Sequence, residues 1–112
     1  MMLLTKEHTG QLLRNGGERR DDPENKPVVK FFTPWTNCTG LISEMDPDDH
    51  DRLFGLCDLS QGFPELGYLS MSEVTAIRGP AGLRIERDRW FRPAKTLAEY
   101  ANEARAVSHI AA

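Results

Sequence analysis

The sequence predicts an α+β fold: a small, largely antiparallel sheet of four to five strands with two to three helices packed on it. Three observations carry that prediction. Val28–Thr33 is a run of β-branched and aromatic residues stopped by Pro34, which has no N–H to give to a ladder. Two further strand-like runs flank the acidic turn Asp46-Pro47-Asp48-Asp49-His50-Asp51. Ser70-x-x-Glu73 and Thr96-x-x-Glu99 each carry the capping-box signature of a helix start.

Taken in order, Thr5 is the N-cap of a first helix through Arg14, with Leu12 and Leu13 inward and Gly16 or Gly17 ending it. Residues 18–27 read Glu-Arg-Arg-Asp-Asp-Pro-Glu-Asn-Lys-Pro, with almost nothing to bury, so an exposed loop is expected there. The strand through Phe31 and Phe32 follows. Strands at about Asn37–Met45 and Arg52–Leu59 then form an antiparallel hairpin around the acidic turn, which would make Cys38 and Cys57 near neighbours and allow a disulfide on oxidation. After a turn at Gln61–Glu65 comes a short strand at Leu66–Leu69. A helix opens at Ser70, reinforced by Leu69 and Val74 at the two positions of a hydrophobic staple. It ends near Arg78, where Gly79 supplies a left-handed residue and Pro80 blocks continuation. Ile85–Phe91 alternates as a further strand. The last helix places Leu97, Ala101, Ala104 and Val107 on one stripe, and the C-terminal residues fray.

A chain of 112 residues fits a single domain over 1–112 with room for one core. Its 39% hydrophobic and 28% charged residues are those of a globular protein. No apolar run approaches membrane-spanning length, and the start lacks a basic region followed by a long apolar stretch. The expectation is a cytoplasmic protein with no signal peptide and no membrane association. Two cysteines are too few for a disulfide framework or a zinc site and read as reduced thiols filling a sheet face.

No motif of known chemistry is complete in this sequence. Counting from Asp46 as first ligand, the acidic turn puts Asp51 where a calcium loop needs glycine and Cys57 where it needs glutamate. His8, His50 and His109 fall in separate elements without metal-ligand spacing. Gly79-Pro80-Ala81-Gly82 lacks the Lys-Ser/Thr ending of a phosphate loop. No Ser, Thr or Cys has a local base or nucleophile elbow, so no enzyme, metal or cofactor is expected. Charge is unevenly spread. Glu44–Glu65 holds seven acidic residues against Arg52 alone, whereas Arg78–Lys95 holds six basic residues against two acidic. Such segregation orients charged partners.

Three blocks stand out as wholes: Val29-Lys30-Phe31-Phe32-Thr33-Pro34-Trp35, Pro64-Glu65-Leu66-Gly67-Tyr68-Leu69-Ser70, and Ile77-Arg78-Gly79-Pro80 with Glu86-Arg87-Asp88. Together with the opening Leu3-Leu4-Thr5-Lys6 they resemble an uncharacterised bacterial family, the domain-of-unknown-function family numbered twenty-nine fifty-eight. Thr36–Gly40 departs from that pattern, where a more aromatic strand is expected. The resemblance implies a compact domain from plasmids and other mobile elements and carries over no catalytic residue.

Two function classes follow. The first is a non-catalytic protein-binding accessory of a mobile element, an inhibitor of a host defence system being one such role. It would dock through the acidic residues Asp46, Asp48, Asp49 and Asp51 and the aromatics Trp35, Phe63 and Tyr68. The second is a nucleic-acid-binding module using Arg78, Arg84, Arg87, Arg89 and Arg92 with Trp90 for base stacking. The net charge of −3 weighs against the second, because sequence-independent affinity needs phosphate neutralisation.

Overall fold

The computed structural model describes residues 3–59 and 64–112. In chain order the elements are helix α1 (Lys6–Glu18), strands β1 (Val29–Phe32), β2 (Thr39–Asp46), β3 (Asp49–Asp58) and β4 (Glu65–Ser70), helix α2 (Met71–Ala76), a 3₁₀ turn at Pro80–Gly82, strand β5 (Glu86–Arg87), and helix α3 (Leu97–Val107). The five strands form one sheet in the order β4-β3-β2-β1-β5. Every neighbouring pair is antiparallel, so the α+β prediction holds.

Because successive side chains of a strand point to opposite faces, the sheet can be buried on both sides. Val29 and Phe31 of β1, Ile42 and Met45 of β2 and Leu53 of β3 pack with Leu12 of α1 and Val74 of α2. Leu41 and Leu56 point the other way and pack against Leu97, Tyr100, Ala101 and Ala104 of α3. Two-sided covering explains why Leu41–Met45 is buried at every position instead of alternating.

Helix starts obey their local signatures. Thr5 Oγ1 accepts the His8 N–H at 3.1 Å while His8 Nδ1 accepts the Thr5 N–H at 3.1 Å, which gives His8 a capping task. Thr96 and Glu99 make the reciprocal pair at 3.2 and 3.0 Å. At α2 only half of the expected box forms: Ser70 Oγ accepts the Glu73 N–H, and its own hydroxyl goes to Asp51 of β3. The same carboxylate accepts the Ser72 N–H, so a residue distant in sequence takes up an amide of the first turn.

Glycine is where local reading fails. α1 does not stop at Gly16 but runs through it to Glu18. A Cβ on Gly16 would stand 2.2 Å from the Met45 carbonyl oxygen, so this glycine lets the helix lie against β2. Gly79 is not left-handed either, having φ −99°, and α2 ends earlier, at Ala76. A Cβ there would fall 2.3 Å from the Trp35 ring, so Gly79 makes room for that indole. The positive φ angles of this segment belong to Ala81 and Gly82.

Other corrections have local causes. The strand expected over Ile85–Phe91 shrinks to β5 because Asp88 turns the chain out of the ladder, its side chain accepting the Trp90 N–H and its carbonyl the Phe91 N–H. The acidic turn is tighter than expected, since Asp49, His50 and Asp51 already belong to β3. Val107 leaves the buried stripe of α3 and is 52% exposed, while Tyr100 joins it. Within 18–27, Asn25 and Pro27 are buried, whereas residues 18–21 are exposed. At the other end Ile110 packs on the α3 side and donates its N–H to Asp58.

Candidate functional site

A cleft of about 280 Å³ with polar walls lies between the end of α1, the loop that follows it, and β2–β4. Its floor is Glu44, which is 2% exposed. A bulge between Ile42 and Glu44 interrupts the β2–β3 register and sets this carboxylate opposite Phe54. Asp21, left-handed at φ 53°, presents two consecutive amides to it. Glu44 Oε1 accepts the Asp21 N–H at 2.6 Å, and Oε2 accepts the Asp22 N–H at 2.9 Å and the Asn25 Nδ2 amide at 3.2 Å. Burial pushes the Glu44 carboxyl above the usual glutamate range, with those three donors pulling the other way.

The walls are paired groups. Arg20 bonds Asp46 at 2.6 Å. The Asp46 carboxyl is held below its ordinary value, first by the Asp48 N–H and then by Arg20. Across the cleft the Tyr68 hydroxyl donates to the Asp21 carboxylate, which raises the phenol's pKa. The Arg52 guanidinium lies 3.8 Å from the centre of the Tyr68 ring, and Phe54 meets the same ring edge-on at 5.5 Å.

The structure brings Asp46 and Tyr68 of the expected docking residues to this one cleft. It disperses the others. Asp51 accepts the Ser70 and Ser72 hydroxyls and the Ser72 N–H, so its role is to start α2, and those donors lower its pKa. Asp48 and Asp49 stand exposed at the hairpin tip. Trp35 is half-buried against Gly79, and Phe63 lies outside the described residues. Among the basic candidates, Arg78 and Arg84 face each other across an isolated bridge. Arg87 donates to the Leu3 carbonyl at 2.9 Å, and Arg89, Trp90 and Arg92 follow β5, with Trp90 84% exposed.

Sequence reasoning missed Arg20, Asp21, Glu44 and Arg52. Glu44 had a signal: a lone charge inside the apolar run Leu41–Met45 calls for partners. Asp21 had none, since its part depends on a positive φ.

At the far end of β2 and β3, an apolar groove of about 110 Å³ is lined by Phe31, Cys38, Cys57, Val74, Ile77 and Ile85, among others. Cys57 opposes Gly40, two residues beyond Cys38, so the thiols are diagonal neighbours on one face and both are free. Diagonal positions stand roughly 7–8 Å apart. That is beyond the roughly 4.4–6.8 Å Cα separation of a disulfide, so the expected cross-strand bridge needs backbone movement. Burial pushes the Cys57 thiol up to about 11. Among the described residues no three His, Cys, Asp or Glu side chains converge as metal ligands, and no helix is long and apolar enough to cross a membrane.

A family model for proteins of unknown function, DUF2958, matches residues 3–111. The chain belongs to that family. No curated protein and no solved structure gave a match. In this DUF2958 member the aspartate hairpin tip is at one end of the sheet, and the segment bearing Arg78 and Arg84 lies by the apolar groove at the other.

Proposed function

We propose that this DUF2958 protein is a non-catalytic binding protein that docks a basic surface of a protein partner with its acidic hairpin end. One observation carries the reading. The ionisable groups lining the cleft are committed to one another: Arg20 to Asp46, Tyr68 to Asp21 and to Arg52, and Glu44 to the 21–25 loop. Such mutual holding suits a preorganised recognition surface better than a reactive centre, which needs a group poised to exchange a proton or attack. Beyond that rigid base Asp48 and Asp49 stand exposed, where field lines reach an approaching partner. The mobile-element setting, with a host defence protein as target, rests on the family resemblance and is part of the same proposal.

The test is capture from lysates of several bacterial hosts by wild type and by an Asp48→Lys, Asp49→Lys double variant, at low and high salt. A specific protein retained by wild type, lost by the variant and weakened by salt supports the reading. Recovery of no specific partner, or equal recovery by both proteins, overturns it.

A second reading has one observation in its favour, Trp90 at 84% exposure between Arg89 and Arg92, a stacking platform for single-stranded nucleic acid. Gel shift at low salt with wild type and Trp90→Ala separates the two: salt-sensitive binding that the substitution weakens moves the assignment to nucleic acid.

A further inference from the structure

The two edges of the sheet are built differently. β5 ends one side and is only two residues long, both charged, with Asp88 turning the chain away. Short, charged, bent edges are how proteins prevent strands from adding to a sheet. β4 ends the other side and has none of these devices. Its ladder with β3 is regular over six pairs, from Arg52↔Ser70 to Cys57↔Glu65. Its sequence Glu65-Leu66-Gly67-Tyr68-Leu69-Ser70 holds no proline and no lysine, and its only charge is at the first residue. Among the described residues no strand lies beyond it, so no ladder takes up its outer N–H and C=O groups there.

We propose that β4 pairs with β4 of a second copy, antiparallel, about a two-fold axis perpendicular to the sheet and passing through Gly67, so that two five-stranded sheets become one. The axis follows from the side-chain alternation. Residues directly opposite in an antiparallel pair share a face, so the dyad must pass through a residue and not between two. A dyad at Tyr68 would set two Tyr68 rings opposite each other, each carrying an Arg52 guanidinium 3.8 Å from its centre, and so bring like charges together. A dyad at Leu66 would leave only Glu65–Gly67 of β4 facing the same strand of its copy, whereas a dyad at Gly67 brings Glu65–Leu69 into register. A dyad at Gly67 sets Leu66 opposite Tyr68 of the second copy and Glu65 opposite its Leu69, with no like charges facing. Leu66 and Leu69 are half-buried and Tyr68 is 49% exposed, so apolar surface remains on this strand to be covered. A strand-edge contact is smaller than the standard interface of roughly 1,600 Å², so the dimer dissociates on dilution.

Sedimentation velocity over about 1–500 µM tests this, because a weak dimer is half-formed near its Kd. Wild type shifts from monomer to dimer across the series. Gly67→Lys and Gly67→Glu each place two like charges at the dyad and raise the Kd at least roughly tenfold. A Cβ at Gly67 meets nothing within 4 Å, so both variants keep the fold. An equimolar mixture of the two regains the dimer, which a merely structural effect would not produce. Hydrogen exchange on wild type gives a readout without mutation: amides of Leu66–Leu69 slow as concentration rises. A wild type that stays monomeric throughout, a dimer insensitive to both substitutions, a mixture that fails to recover, or β4 amides indifferent to concentration each overturn the proposal. So does a monomeric protein whose β4 instead captures an extended peptide from another protein.

Discussion

Removing the Glu44 carboxylate tests the reasoning about the cleft most directly. Three N–H donors converge on it, from Asp21, Asp22 and Asn25. Hydrogen bonds to a charged acceptor contribute about 1.5–3 kcal/mol each. The gross loss on Glu44→Ala is reduced because Asp21 is exposed, so its freed amide can take water, and because the cost of burying a charge disappears. The expected net loss is about 2–4 kcal/mol. Glu44→Gln keeps one acceptor oxygen but turns an NH₂ toward a donor, so about half that loss is expected. The pH dependence has a definite sign. Burial raises this carboxyl's pKa in the fold above the ordinary value of 4.5, so between the two values the folded state binds more protons than the unfolded. Stability from this group is then fully present below about pH 4.5 and declines as pH rises through the folded pKa. Urea unfolding of wild type and Glu44→Gln across about pH 4–7 should show the wild type's advantage shrinking as pH rises. A loss under about 1 kcal/mol for Glu44→Ala, or an advantage that grows with pH, refutes the account of this site.

Two further predictions concern packing and burial. Gly17→Ala should stabilise α1 by about 0.5–1 kcal/mol, since its Cβ meets nothing within 4 Å and alanine favours helix. Gly16→Ala, one residue away, should destabilise by about 1–3 kcal/mol, because its Cβ collides with the Met45 carbonyl; thermal unfolding of the pair reads the sign change directly. With its thiol at about 11 against an ordinary 9.0, Cys57 should alkylate about 100-fold more slowly at about pH 8 than an unperturbed cysteine, as followed by mass spectrometry of iodoacetamide-treated native protein.

Features that act within a few residues were legible in the sequence. The caps at Thr5, Ser70 and Thr96, the hairpin around Asp46–Asp51 and the strand through Phe31 announce themselves because their causes are local: a hydroxyl reaching an amide three residues on, a proline without an N–H, alternation along a pleat. The candidate site was half legible. Asp46 and Tyr68 could be singled out as an acid and an aromatic, but nothing nearby in the chain announces that they share a cleft.

What the amino-acid order determined by itself is therefore the set of elements, the helix starts and the alternation that gives the sheet two faces. Tertiary structure decided where glycine is required and which charges meet. Gly16 answers to Met45, Gly79 to Trp35, and Glu44 to Asp21 and Asn25, each across roughly twenty or more residues of chain. Contacts at that separation depend on how the layers close, and close packing leaves no slack once they have, so these positions acquire their meaning only in the assembled fold.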